Sequence, residues 1–133
     1  MQTTGESYGI GRSLDIPFEQ AVAKVKEAFK EEGFGSLSEI DIQGALREKI
    51  GKEIEPYTVL GMCNPKLAHR SIQLEPEIGT LLPCNVLVRQ EGGRIHVTAQ
   101  NPSLFVQLTD NPAVEPIARE ARERIDRALA RLG

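Results

Sequence analysis

The sequence predicts an α+β fold: a two-layer sandwich with a mixed, mostly antiparallel sheet of about five strands, helices on one face and a long C-terminal helix. Three observations carry that expectation. Helix-like and strand-like segments interleave irregularly, which favours α+β over a doubly wound arrangement. "CNVLVRQ" and "RIHVTAQ" flank "EGG", a short glycine-containing loop, and so read as a β-hairpin. Residues 112–132 carry one unbroken apolar stripe at helical spacing: Val114, Ile117, Ala118, Ala121, Ile125, Ala128, Leu129 and Leu132. With no internal repeat and no linker-like run, residues 1–133 read as a single domain, long enough to bury one sizeable core.

The elements follow in order. "YGIGRSL" alternates weakly and reads as a short first strand. Pro17 suits the first helical position, where its missing N–H costs nothing. Phe18, Ala21, Val22, Val25 and Phe29 then form an amphipathic stripe, and Gly33 suits the C′ position that ends the helix. "FGSLSEI" reads as a second strand. Asp41 is placed to cap a helix whose stripe is Ile42, Ala45, Leu46 and Ile50 and whose stop is Gly51. "YTVLGMC" is apolar on both sides, as suits a strand at a sheet centre or one covered on both faces. Asn64-Pro65 opens a third helix, while "NPSLFVQL" stays ambiguous between loop and helical turn. In the last helix, Glu115 with Arg119, Glu120 with Arg124 and Glu123 with Arg127 stand four apart, acid first, the favourable order for an ion pair.

The bulk numbers exclude several function classes. Net charge is −3, from 16 basic and 19 acidic side chains, and there is no tryptophan. No cationic face for nucleic acid is expected from that balance. No stretch is apolar for long enough to span a bilayer, and the first 13 residues lack the apolar core of a signal peptide. Two cysteines are too few for a secreted disulfide framework, so a reducing, cytoplasmic setting is the expectation. No cofactor loop, Walker motif or nucleophile elbow is present, and no metal-ligand spacing gathers His69, His96 or Asp41, so neither a cofactor nor a metal is expected.

What stands out is a repeated pair. Cys63-Asn64 is followed by Pro65, and Cys84-Asn85 is preceded by Pro83. In one reading this is folding grammar: Asn64 is an N-cap, Pro65 the first helical residue, and Cys63 and Cys84 core filling. In the other, the two segments converge. If the strands carrying them are antiparallel neighbours, both sulfurs, both asparagine amides and several helix N–H groups face one pocket, and the positive helix end lowers a thiol pKa. Glu39 and Asp41, two apart on a strand, are further candidates, although Asp41 already has a capping role.

"EEGFGSLSEIDIQGALREKIG", "PYTVLGMCNPKLAHRSI" and "EIGTLLPCNVLV" together resemble the domain-of-unknown-function family 302. The resemblance implies a small α+β two-layer protein, often dimeric, with motif positions Glu39, Asp41, Cys63, Asn64, Pro65, Ala68, Pro83, Cys84 and Asn85. Met62 and Thr80 are small departures from the pattern. The family supplies a fold and no reaction. The expectation is therefore a cytoplasmic small-ligand binding or interaction module, a homodimer, with a pocket around the two Cys-Asn segments and no engagement of nucleic acid or membrane. The alternative is a thiol-dependent redox or sulfur-handling enzyme using Cys63 and Cys84. Whether the chain is an enzyme is left open between these two.

Overall fold

The computed structural model describes residues 7–133; the reading of the extreme N-terminus as no signal peptide falls largely outside them. Five strands, β1 (Gly9–Leu14), β2 (Gly35–Asp41), β3 (Tyr57–Cys63), β4 (Cys84–Glu91) and β5 (Arg94–Gln100), form one sheet in the order β1-β5-β4-β3-β2. Every pairing is antiparallel, so the mixed sheet allowed by the sequence resolves to a purely antiparallel one. The helices are α1 (Phe18–Lys30), α2 (Ile42–Ile50), α3 (Pro65–Leu74), α4 (Ser103–Thr109) and α5 (Glu115–Ala130).

Alternation along the strands sends Leu60, Met62, Val86, Val88, Ile95, Val97 and Ala99 to one face, where they are all buried. Helices α1 and α5 close that face, contributing Val25, Phe29, Ile125 and Leu129 to the same apolar cluster. All eight residues of the C-terminal stripe are buried, as their spacing predicts. The ambiguous "NPSLFVQL" forms most of helix α4, and two short 3-10 segments, Pro76–Leu81 and Pro112–Val114, were not apparent from periodicity. The second of these takes up the start of the predicted 112–132 helix.

The end of α1 shows how local chemistry aims the chain. Pro17 is one position earlier than its sequence suggests: it precedes the first helical residue, Phe18, and its carbonyl accepts the Ala21 N–H at 3.0 Å. At the other end Gly33, at φ +88°, adopts the left-handed conformation. The Gly33 N–H bonds the Lys30 carbonyl at 3.0 Å and the Phe34 N–H bonds the Phe29 carbonyl at 2.9 Å, the paired bonds of a Schellman closure. The accompanying apolar contact is aromatic: the Phe29 and Phe34 rings meet edge to face, 5.7 Å between centroids. This turn delivers the chain into β2 and places Glu32 beside α5.

Glu32 is buried, and its carboxylate bonds Arg127 at 3.0 Å and Arg131 at 3.1 Å. Burial pushes its carboxyl up, but the hydrogen bonds and charges of Arg131 and Arg127 outweigh that, so its pKa lies below the usual carboxylate value. The expected Glu115–Arg119 and Glu120–Arg124 pairs form. In place of the expected pair with Glu123, Arg127 reaches Glu32, because a buried carboxylate offers a stronger field than a solvated neighbour. An unanticipated Arg122–Asp126 pair joins the exposed set.

Candidate functional site

Strand β3 ends at Cys63 and β4 begins at Cys84, and the two strands are antiparallel neighbours. The register sets Met62 opposite Cys84 and Gly61 opposite Asn85. Residues 63 and 84, 21 positions apart in sequence, therefore meet at one end of the sheet. Gly61 makes the approach possible. A Cβ there would stand 2.9 Å from the Pro83 ring and closer still to the Ser38 hydroxyl, nearer than side-chain atoms come.

Both cysteines are half-buried and free, and both border one pocket. Its walls come from the strand ends (Met62, Cys63, Cys84), from α3 (Leu67, Ala68, Ser71), from Phe34 and Phe105, and from Ile117, Ala118 and Ala121 of α5. Leu82 and Pro83 complete the rim. The lining is almost entirely apolar, and about 30 Å³ is free inside. Cys84, opposite Met62, points to the inner side of the sheet; Cys63, one residue out of phase, starts from the other side. Burial pushes the Cys84 thiol up to about 12, and the neighbouring Cys63 adds to the shift. Cys84 is thus a neutral thiol at physiological pH.

Asn64 is explained by structure at both ends of its amide. Its Oδ1 accepts the Leu67 N–H at 3.2 Å, and its Nδ2 donates to the Glu32 carbonyl at 3.4 Å. The expected array of helix N–H groups facing the sulfurs is not assembled. Pro65 has no N–H, and those of Leu67 and Ala68 are taken by the Asn64 side chain and carbonyl. Ser71, also buried in the pocket wall, donates to the Leu67 carbonyl at 2.9 Å.

Four candidates lie away from this pocket. Asn85 is exposed, because alternation turns it from Cys84 to the opposite face of the sheet. Pro65, also exposed, occupies the first helical position and does not line the cavity. Glu39 pairs with Lys26 of α1. Asp41 caps α2, its Oδ1 accepting the Gly44 N–H at 3.0 Å, and it stands opposite Thr58, toward the end of β3 remote from Cys63. Cys63, Asn64 and Cys84 line this pocket together, with Phe105 and the α5 wall, which the sequence reading did not name. The close pair Ala118 and Ala121 was the available signal, since small residues in a buried stripe leave space. Among the described residues no group of three or more His, Cys, Asp or Glu side chains is placed to hold a metal.

The family model described as "Domain of unknown function DUF302" matches residues 10–132. Among solved structures, the chain is similar to the uncharacterized conserved DUF302 protein from Bacillus stearothermophilus, with 27% sequence identity and a TM-score of 0.89. The match covers 95% of this chain and 98% of that one. No curated protein matches the chain.

Proposed function

The chain belongs to the DUF302 family, which brings a fold and no assigned reaction, and from its geometry we propose that it is a binding module for a small apolar molecule. The ligand enters the pocket beside Cys84. The observation that carries this reading is a cavity walled by aliphatic and aromatic side chains in which Cys84 stays protonated. An apolar cavity of this kind gains by filling its space with contacts that water does not supply. The free space of about 30 Å³ suits a ligand of very few non-hydrogen atoms, since a cavity that takes benzene is about 150 Å³. No histidine or carboxylate lines the pocket to serve as a base for either thiol. The free thiols suit a reducing, cytoplasmic setting, and no helix among the described residues is long and apolar enough to cross a membrane.

Xenon is the probe of choice. In a titration followed by methyl NMR shifts, xenon is expected to perturb residues around Leu67, Ala118 and Ala121 and nothing on the opposite sheet face. Ala118→Leu, which fills the space, is expected to abolish the response. Saturating xenon without a localised shift would end this reading.

A second reading is favoured by one specific feature, the shared border of Cys63 and Cys84 on a single pocket. In it the two thiols are oxidised to a disulfide while a disulfide-bearing substrate is reduced, two electrons and two protons passing to the substrate's sulfurs. Iodoacetamide separates the two. The binding module predicts that Cys84 in the native protein stays unmodified at pH 8 and is alkylated only after denaturation. Fast labelling of Cys84 at pH 7, or a Cys63–Cys84 disulfide formed under mild oxidation, would favour the thiol enzyme.

A further inference from the structure

We infer that the outer face of the sheet holds a second binding site, for a small aromatic acid whose anionic group meets Arg89. The site lies on the side of the sheet away from Cys84 and does not depend on what the other pocket binds.

Register builds it. Tyr57 stands opposite Arg89, Arg89 opposite His96 and His96 opposite Ser13, so four side chains from four strands form one row across the sheet. Neighbouring strands are roughly 5 Å apart, which makes the row about 15 Å long. The adjoining row, two residues along each strand, runs Val59, Leu87, Thr98 and Gly11. It is apolar but for one hydroxyl, and at Gly11 it has no side chain. Over these rows lies a groove of about 920 Å³, lined by β1, β3, β4, β5 and the two residues before β1, with no helix residue in its wall. That volume is at the upper end for a small-molecule site.

The charge of the groove is what selects an acid. The chain carries a net −3, yet no aspartate or glutamate lines the groove, whereas Arg89 and His96 do. Arg12 borders it too, but its guanidinium donates to the Gly133 carbonyl at 3.2 Å. The planar fork of Arg89 suits a carboxylate or a phosphate, taken by two parallel hydrogen bonds. Glu91, two residues along the same strand, holds that guanidinium at 2.8 Å. A pair with so exposed a carboxylate contributes little and yields to a ligand oxyanion. His96 Nδ1 meets Ser13 Oγ at 3.2 Å, which leaves Nε2 as the ring nitrogen for the ligand. The aromatic requirement comes from the other row and from the rim. A flat ring lies along Leu87 and Gly11 without displacing a side chain at Gly11. Both tyrosines of the chain, Tyr8 and Tyr57, border the groove, and Tyr8 is 79% exposed, so its ring is available for stacking.

Calorimetric and amide NMR titrations of the full chain test this with naphthoate, naphthyl phosphate and the neutral naphthylmethanol. Naphthoate at millimolar concentration is expected to shift the amides of Leu87, Arg89, His96 and Thr98, and the alcohol to bind about 10-fold more weakly or worse. Naphthyl phosphate binding more tightly than naphthoate makes the anionic group a phosphate; the reverse order makes it a carboxylate. Arg89→Gln is expected to weaken both acids about 10-fold or more and the alcohol not at all. Its side chain lies at the sheet surface, so the urea midpoint should stay at the wild-type value. Gly11→Val, which fills the groove and keeps its charge, is expected to abolish binding of all three. Arg119→Gln removes the same charge from an exposed side chain of α5 and should change nothing, which separates a local partner from net charge. No localised shift with either acid, equal affinity for the alcohol, or an acid affinity unmoved by Arg89→Gln overturns the inference.

Discussion

Helix α1 buries Ala21, Val22, Val25, Ala28 and Phe29, whereas α2, with Ile42, Ala45, Leu46 and Ile50 at comparable helical spacing, buries none. Both stripes state that a partner surface is required. Neither states where that surface comes from. Helix α1 lies over the inner face of the sheet and meets α5, so the chain itself covers it. Helix α2 joins β2 to β3 at the edge of the sheet and packs against β3 alone, so Ile42, Ala45 and Leu46 stay half-buried and Ile50 exposed. A hydrophobic period is thus a demand for burial, and topology decides whether the same molecule meets it.

That contrast can be broken at its strong end first. Phe29→Ala removes a fully buried ring that also anchors the turn into β2, and it is expected to cost about 3–5 kcal/mol in urea unfolding. A loss under 1 kcal/mol would mean that α1 is not what holds the two layers together. Next comes the tether between the end of α1 and α5. Glu32→Gln is expected to cost about 2 kcal/mol at pH 7. The sign with pH is set by the direction of the shift. The folded carboxyl lies below its ordinary 4.5, so its stabilisation is complete above that value and is lost as pH falls through the lower folded pKa. The gap between wild type and variant in urea midpoint should therefore close on acidification, and a gap that widened there would contradict the ion-pair account. At the weak end, Ile50→Ala, at an exposed side chain, is expected to change stability in urea unfolding by no more than about 0.5 kcal/mol.

What could be read from sequence followed the range of the physics. Gly33 as a helix stop, Asn64 as a cap and the eight-residue stripe of α5 all depend on bonds or spacings within a few residues. The meeting of Cys63 with Cys84 depends on strand order, and only the condition for it, antiparallel neighbours, was available beforehand. Arg127 illustrates the limit well. Its sequence neighbour Glu123 satisfied the four-apart rule, but Glu32, 95 residues away, was the buried charge that needed it. Asn85 shows the reverse error. Repetition of a dipeptide suggested a shared role, whereas strand alternation and a helix start send the two asparagines in different directions.

One residue outside the pocket acts as its latch. The Glu32 carbonyl accepts both the Asn64 amide at the root of α3 and Arg124 of α5, while its carboxylate holds two more arginines of the C-terminal segment. The cavity lies between those same two helices. Prising them apart to admit anything larger than its present space strains bonds that all converge on position 32.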